Sequence, residues 1–431
     1  MTYIHYTREY EDRERSKFKR RVAFIAHMLL PGYFSTTIIQ WMLALMGTSL
    51  EEFFSRPFFI KWLSFPVMPP VGSGGEPVWV DFYLIPALAT DFMPKVRDGT
   101  AYQWCEAVAL HAIAEAERDG VELWIGWGAG TKNATGHGQL FLERNSHLVN
   151  SDSVYTTHGD GGTVSLAVAA LGQAAVPNGL CGAIIGANGA IGDALARFVP
   201  QQFQPRKWVL VGRPDKPGEN DRRVRLDVLR QQVEIWLAMC GHQVSVLVHQ
   251  DKSTACLEHN TKIVVVATTA GDMELLPDEV QPGALVVDLT TPSACSPSHD
   301  WSGRTVITAG CGQFTNPAVL PCGFGEIGGR QVTNVGAAVF EAGGNMVIWG
   351  CTAETIVNAM FSHREHIAGP TVDVMVDVPR VIQGFRTLKI QPQPPVSCGH
   401  VLRWEDLRGP GATPRTYTSF LLVNSVHAPA A

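Results

Sequence analysis

The stretch AIIGANGAIGDALARF, residues 183–198, decides how the rest of the chain is read. An apolar run is followed by Gly186, Gly189 and Gly192, spaced three apart, and then by the start of an amphipathic helix. Glycine at such points lets the backbone turn tightly and approach a pyrophosphate, whose charge is met by amides at a helix N-terminus. The spacing is GxxGxxG rather than GxGxxG, so the flanking strand and helix carry the meaning. A turn with no ligand is the competing reading. The strand–turn–helix context predicts a dinucleotide cradle formed by Gly186, Ala187, Asn188, Gly189, Ala190 and Ile191.

The runs on either side fit that cradle. LCGAIIG (180–186), KWVLVG (207–212), QVSVLVH (243–249), KIVVVAT (262–268) and ALVVDL (284–289) are short and nearly all apolar. Such runs suit parallel strands buried on both faces, and helical segments or loops between them predict an α/β, doubly wound parallel-sheet domain of Rossmann type over 167–330. KWVLVG ends beside Arg213, where such a domain reads the adenosine ribose. An acidic residue there would accept from a 2′-hydroxyl, whereas an arginine suits a 2′-phosphate, so NADPH is the expected cofactor. An ordinary surface arginine in a Gly-Arg-Pro turn is the alternative. VVVATTAG (264–271) closes a later strand with hydroxyls, making Thr268 and Thr269 expected cofactor contacts.

A second stretch carries the chemistry. In NMVIWGCTAETIVNAM (345–360), Met346, Trp349, Ala353, Ile356, Val357 and Met360 recur at helical spacing, and Asn345 is a plausible cap. The spacing predicts a helix over the whole stretch. Cys351 lies off the apolar stripe and shares the other face with Glu354, Thr355 and Asn358. A core cysteine belongs on the stripe, whereas this one sits early in the helix, where the dipole favours a thiolate. A nucleophilic cysteine in a nicotinamide-binding chain points to acyl reduction: the thiolate takes the acyl group as a thioester, which is then reduced to an aldehyde. Cys351 is the expected nucleophile. Glu354, one turn on, is expected to orient it or hold a proton, with a solvated helix glutamate as the alternative. Thr156, Thr157 and His158 form a glycine-flanked loop placed to line the site, and His363 is expected to cap the cysteine helix.

Composition bounds these readings. The 431 residues allow two or three domains, and 45% hydrophobic with 17% charged residues excludes a disordered chain. A net charge of −6 gives no sign of nucleic-acid binding. Nine cysteines without a CxxC pair suit a reducing cytoplasm rather than a disulfide framework. Cys295, His299, Cys311 and Cys322 are the nearest approach to a metal cluster and read better as loop and core residues, so no metal is expected. The opening segment is polar rather than signal-like. VAFIAHMLL (22–30) and IIQWMLALMG (38–47) fall short of the roughly 20 apolar residues that a span requires, although peripheral lipid contact stays open. Arg13, Arg15, Lys17, Lys19, Arg20 and Arg21 read as a solvated basic segment, with docking to an acidic partner as the sharper alternative.

In order along residues 22–385 the chain resembles the long-chain acyl-[acyl-carrier-protein] reductase family, the fatty-aldehyde-forming enzymes of cyanobacterial type. AFIAHML (23–29) resembles that family's N-terminal strand with its histidine, and YTTHGDGGTVSLAVAAL (155–171) its Thr-Thr-Gly segment. GANGAIGDALARF (186–198) is similar to its nucleotide turn, and GCTAET (350–355) to the stretch around its nucleophilic cysteine. The resemblance implies an acyl thioester on Cys351, NADPH as reductant, and an acyl donor on phosphopantetheine, either acyl carrier protein or acyl-CoA. The Pro/Gly-rich insertion near 66–77 and the residues after about 389 depart from the family pattern.

The expected organisation is a charged tail (1–20), an N-terminal α/β acyl- or substrate-binding domain (21–166), the NADPH-binding domain (167–330), a C-terminal helical segment carrying Cys351 (331–388), and a loosely ordered Pro-rich tail (389–431). Two other functions fit the same motifs: an oxidoreductase resembling shikimate dehydrogenase or glutamyl-tRNA reductase, and a redox sensor that binds NADP without turnover.

Overall fold

A computed structural model describes residues 13–27, 59–85, 87, 89–215, 221–268, 273–290, 293–314, 324–327, 330–333, 341–342, 345–397, 400–408 and 413–414. The principal elements in chain order begin with β1 (Arg20–His27), β2 (Ile60–Val67), β3 (Val78–Ile85), α1 (Ala89–Arg97), α2 (Thr100–Asp119), β4 (Glu122–Trp127), α3 (Gly130–Ala134), α4 (Gln139–Arg144) and β5 (Val154–Thr157). They continue with α5 (Asp160–Ala174), β6 (Cys181–Ile185), α6 (Ala190–Phe203), β7 (Lys207–Val211), α7 (Asp221–Met239), β8 (Ser245–His249), α8 (Lys252–Leu257), β9 (Ile263–Val266), β10 (Leu285–Asp288) and β11 (Thr305–Thr308). Helices α9 (Gly350–Met360) and α10 (Asp377–Leu388) follow. Among the described residues no helix is long and apolar enough to cross a membrane.

The chain divides into two units. One comprises Met1–Gly159, Phe314–Pro370 and Thr387–Ile390, and the other Asp160–Gln313, Thr371–Arg386 and Gln391–Ala431. These boundaries differ from those expected, chiefly because the cysteine-bearing helix belongs to the first unit rather than to a segment of its own.

The first unit is built on a five-stranded sheet in the order β2-β3-β1-β4-β5. β3, β1, β4 and β5 run parallel, and β2 joins the edge antiparallel. Every residue of β1 and β3 is buried, as expected for strands covered on both faces. Helix α2 lays a stripe of Tyr102, Cys105, Val108, Ala109, Ala112 and Ala116 on the sheet and stops at Gly120, whose left-handed φ of 63° caps it. The registers pair Ile25 with Trp127 and Gly126 with Thr157, so the carboxyl ends of three parallel strands finish level.

The stretch 345–360 is not one helix. Asn345–Trp349 is a strand paired antiparallel with Glu341–Ala342, and the helix begins only at Gly350. Short apolar runs with β-branched and aromatic residues satisfy either period, and here the Val347-Ile348-Trp349 portion takes the extended form. Of the basic residues expected to be solvated, Arg13, Lys17 and Lys19 are exposed, but Arg15, Arg20 and Arg21 are not. Arg15 and Arg21 are buried, pairing with Glu115 (3.3 Å) and Asp119 (2.7 Å) of α2. Arg20 Nη1 donates to the carbonyls of Ala359 and Met360 at 3.2 and 2.9 Å, capping the C-terminus of α9.

The second unit is a six-stranded parallel sheet in the order β11-β10-β9-β6-β7-β8. Counted from β6 this is 3-2-1-4-5-6, the doubly wound Rossmann order. Side chains alternate between two cores: Ile184, Leu210 and Val265 face one, and Ile185, Val211 and Val266 the other. Part of the segment expected to be loosely ordered is folded here. Trp404 and Leu407 pack on the first of these cores, and Arg408 donates to the Gln173 carbonyl of α5 at 2.8 Å.

Candidate functional site

The first candidate site lies at the carboxyl edge of the first unit's sheet, the usual location of ligand crevices in open parallel sheets. Strand alternation sends Thr156 and Thr157 to opposite sides. Thr156 is turned away: its hydroxyl accepts from Trp127 Nε1 at 2.6 Å, and its N–H donates to His366 Nδ1 at 3.2 Å. Thr157 faces α9, where its hydroxyl donates to Glu354 Oε1 at 3.0 Å while accepting from the Gly159 N–H at 3.2 Å. Beyond β5 the chain is held from the other side, since Ile367 N–H donates to Thr156 O at 2.8 Å and His158 N–H to Ile367 O at 2.9 Å.

Gly159 brings this loop against the cysteine. Its φ is +70°, and a Cβ there would strike the Cys351 Cβ and come within 2.6 Å of its Cα and 2.8 Å of its carbonyl oxygen. Only glycine permits that approach. Cys351 is the second residue of α9, in a first turn whose N-cap, Trp349, supplies no side-chain bond. The polar face expected on this helix is therefore present but not solvated: Cys351 is 6% exposed, Glu354 and Thr355 0%, and Asn358 1%. The loop Thr157–Gly159 supplies part of that cover, and Gly126 lets Thr355 sit directly on β4.

Lys132 and His137 went unmarked in the sequence. Lys132 is buried in α3, just beyond β4, and Gly130 at the start of α3 abuts the His27 ring, a Cβ there falling 2.8 Å from Nε2. His27 stacks on Phe92 with ring centroids 4.5 Å apart. His137 lies with its ring 6.2 Å from that of His158, which is itself fully buried. The signal available was GAGTKNATGHG (128–138), a glycine-rich turn with basic residues directly after an apolar strand. His363 caps α9 through its backbone, donating to Asn358 O at 2.8 Å.

The second candidate site lies in the other unit, at the switch point where the sheet order reverses between β6 and β9. Gly186 has φ +91° and packs so tightly that a Cβ would lie 2.5 Å from Ala267 O, and one on Gly192 would strike the Gly186 carbonyl. Gly189 is different: it is exposed, caps α6 in extended conformation without a side-chain bond, and has no tight neighbour. Two glycines therefore serve the turn itself, while the third leaves the first-turn amides of Ala190 and Ile191 open to an anion. Ala187 is buried and Asn188 is exposed, its Nδ2 donating to Arg222 O at 3.3 Å. Asp193 in the same first turn is held by Arg197 at 2.7 Å; burial raises its carboxyl pKa, and Arg197 opposes that.

Thr268 stands beside the turn, its methyl 3.0 Å from a Cβ built on Gly186, and its buried hydroxyl has no hydrogen-bond partner among the described residues. A glycine cradle, open helix amides and an orphaned hydroxyl fit a dinucleotide. Thr269 lies outside the described residues. Arg213 is exposed just past β7, and Arg222, missed in the sequence, reaches back to donate to Pro214 O at 2.8 Å. Asp215, two residues on, accepts from the Arg222 and Arg223 N–H groups at 2.9 and 3.3 Å and from Gln250. Among the described residues no cluster of three or more His, Cys, Asp or Glu is placed to hold a metal, and Cys322 lies outside them.

No protein-family model and no curated protein matches the chain. Solved structures that match parts of it include a Δ1-pyrroline-2-carboxylate reductase from Thermococcus litoralis in complex with NADH and L-proline, at 10% identity and TM-score 0.24 over 32% of this chain and 38% of that one. A probable ornithine cyclodeaminase from Bordetella pertussis Tohama I matches at 16% identity and TM-score 0.24, over 32% and 40%. The iminosuccinate reductase of Paracoccus denitrificans in complex with NAD+ matches at 13% identity and TM-score 0.24, over 56% and 69%. The matched part spans about two fifths of the length of the first two.

Proposed function

We propose that this chain is a nicotinamide-dependent oxidoreductase which uses NADPH to reduce a carrier-bound acyl thioester, on acyl carrier protein or CoA, to an aldehyde by way of an acyl group held on Cys351. The observation that carries the reading is the setting of Cys351: a thiol in the first turn of a helix, against the Thr157–Gly159 loop, with the buried Glu354 carboxyl held one turn away by Thr157.

The dipole at the N-terminus of α9 favours the thiolate. Sγ attacks the acyl carbonyl, the carbon–sulfur bond to the carrier breaks, and the departing thiolate leaves with its electron pair and is protonated. A thioester is suited to this because sulfur leaves readily and delocalises poorly into the carbonyl. Burial keeps water from the acyl-enzyme, and the Thr157 hydrogen bond fixes where the Glu354 carboxyl can give or take a proton. NADPH, when bound, supplies the hydride. Its pyrophosphate would rest on the Gly186–Ile191 turn with Thr268 alongside, and its 2′-phosphate between Arg213 and Arg222. Asp215 is already held by the Arg222 and Arg223 amides and by Gln250, and two arginines rather than a free acid follow the strand, which supports the phosphorylated cofactor. The reading sets the protein in the cytoplasm, where the nucleophilic thiol stays reduced.

Incubation with NADPH and a panel of acyl thioesters, followed by aldehyde detection, tests this. Aldehyde from the unmodified chain and none from Cys351→Ser is the expected result. Retained turnover in Cys351→Ser would instead point to an alcohol-type oxidoreductase.

A further inference from the structure

We infer that the outer face of α7 is a self-association surface, on which a second copy of this chain lays its own α7 antiparallel. Helix α7 is apolar on two opposite sides. Leu226, Leu229, Val233, Trp236 and Leu237 are buried in the second unit's core. Val224, Val228, Ile235 and Met239 lie on the far side and are 56, 47, 61 and 56% exposed. At about 100° per residue these four fall within an arc of about 60° and run for about 22 Å along the helix. A surface helix normally carries charged and polar residues there. Apolar residues exposed singly need no explanation, but four aligned in one stripe mark an interaction surface.

The stripe is symmetrical about the point between Gln231 and Gln232: Val224 and Met239 lie equally far from it, and so do Val228 and Ile235. A two-fold axis through that point sets Val224 against the partner's Met239 and Val228 against the partner's Ile235. The exposed Gln231 amide, beside the axis, meets its own copy with one donor and one acceptor on each side. The charges agree with this register. In such a pair each flank of the helix faces the same flank of its partner, and Arg230 and Glu234 share a flank. The axis brings Arg230 within about one residue's rise of the partner's Glu234, so the pair already made within each helix at 2.9 Å becomes a ring of four alternating charges. Arg223 and Arg225 are exposed near the N-terminus of their own helix, where the dipole disfavours cations, and in the antiparallel pair they lie beside the partner's C-terminus, where it favours them. An acidic partner would fit a wholly basic face, which Asp227 and Glu234 deny it. A face of roughly 28 by 10 Å covers about 300 Å² per copy, against about 800 Å² in a standard interface, so the dimer is expected to dissociate on dilution.

Sedimentation of the full-length protein tests this. The unmodified chain should be monomeric at about 1 µM and dimeric at about 200 µM. Ile235→Glu and Val228→Glu each place a charge in the apolar seam and should weaken association about 100-fold or more, with the thermal melt at the lower concentration unchanged because both positions face solvent in the monomer. Oxidative cross-linking, read as linked peptides by mass spectrometry, checks the register: Gln231→Cys should form a disulfide between its two copies, whereas Val224→Cys should not, since only positions beside the axis meet themselves. A monomer at every concentration would overturn the inference, as would a dimer that both glutamate variants leave intact. Equal linkage at 224 and 231 would overturn the antiparallel pairing. A monomer that instead binds acyl carrier protein, with binding lost in Ile235→Glu, would give the face a different occupant and overturn it too.

Discussion

Replacing Gly159 with alanine perturbs the candidate site without removing a polar group. The φ of +70° places an added Cβ in the left-handed region, at a cost of about 1–2 kcal/mol. The new methyl would also meet Cys351, at 2.6 Å from Cα and 2.8 Å from the carbonyl oxygen, both backbone atoms that cannot swing aside. Overpacking of this kind adds about 1–3 kcal/mol, giving roughly 2–5 kcal/mol in all. Gly120→Ala is the matched control: its φ is +63°, and nothing lies within 4 Å of the added Cβ, so only the conformational term applies. Urea unfolding of the two variants should separate them by about 1–3 kcal/mol. Alkylation of Cys351 by iodoacetamide, read at its peptide by mass spectrometry, should change in Gly159→Ala and not in Gly120→Ala. Equal destabilisation of the two with unaltered Cys351 reactivity would refute the close approach of the loop to the nucleophile.

Three further outcomes follow from other contacts. Thr157→Val strips the buried Glu354 carboxyl of a donor and should cost about 1–3 kcal/mol in urea unfolding, with Thr157→Ser close to the unmodified chain. Burial alone would raise the Glu115 carboxyl, but Lys61, the Tyr83 hydroxyl and Arg15 together hold it down at about 2. Because its folded pKa lies below the unfolded value, this group stabilises the fold fully above about pH 4.5 and loses that contribution as pH falls toward 2. Glu115→Gln should accordingly flatten the loss of stability measured across that window. Arg213→Ala and Arg222→Ala should each weaken NADPH binding roughly 10- to 100-fold in fluorescence titrations, with NADH affinity unaltered.

The second unit was legible because each of its signals is local. Runs buried on both faces read as parallel strands wherever they occur, and the glycine turn declares itself within a few residues. Thr305–Thr308, with only two apolar residues between threonines, escaped notice as the sixth strand. The cysteine helix was half legible. Its polar face was visible in the spacing of Cys351, Glu354 and Asn358, but spacing cannot show that a loop nearly 200 residues earlier in the chain covers that face. The same periodicity extended the helix wrongly into Asn345–Trp349, whose strand partner Glu341–Ala342 lies just two residues upstream, so the Gly343-Gly344 pair was a local hairpin signal read only as a helix break. Arg15 and Arg21 looked solvated because their counter-charges, Glu115 and Asp119, lie about a hundred residues away on α2. Lys132 is buried by the packing of α3 at the end of β4, and a lone lysine in a glycine-rich turn carries no mark of that.

The most direct test weighs the intact protein. After incubation with acyl carrier protein or CoA thioesters in the absence of NADPH, the unmodified chain should gain the mass of a single acyl group, located at the Cys351 peptide, and Cys351→Ser should gain none. An unmodified mass, or an acyl group found on another residue, would contradict the assignment of that sulfur as nucleophile.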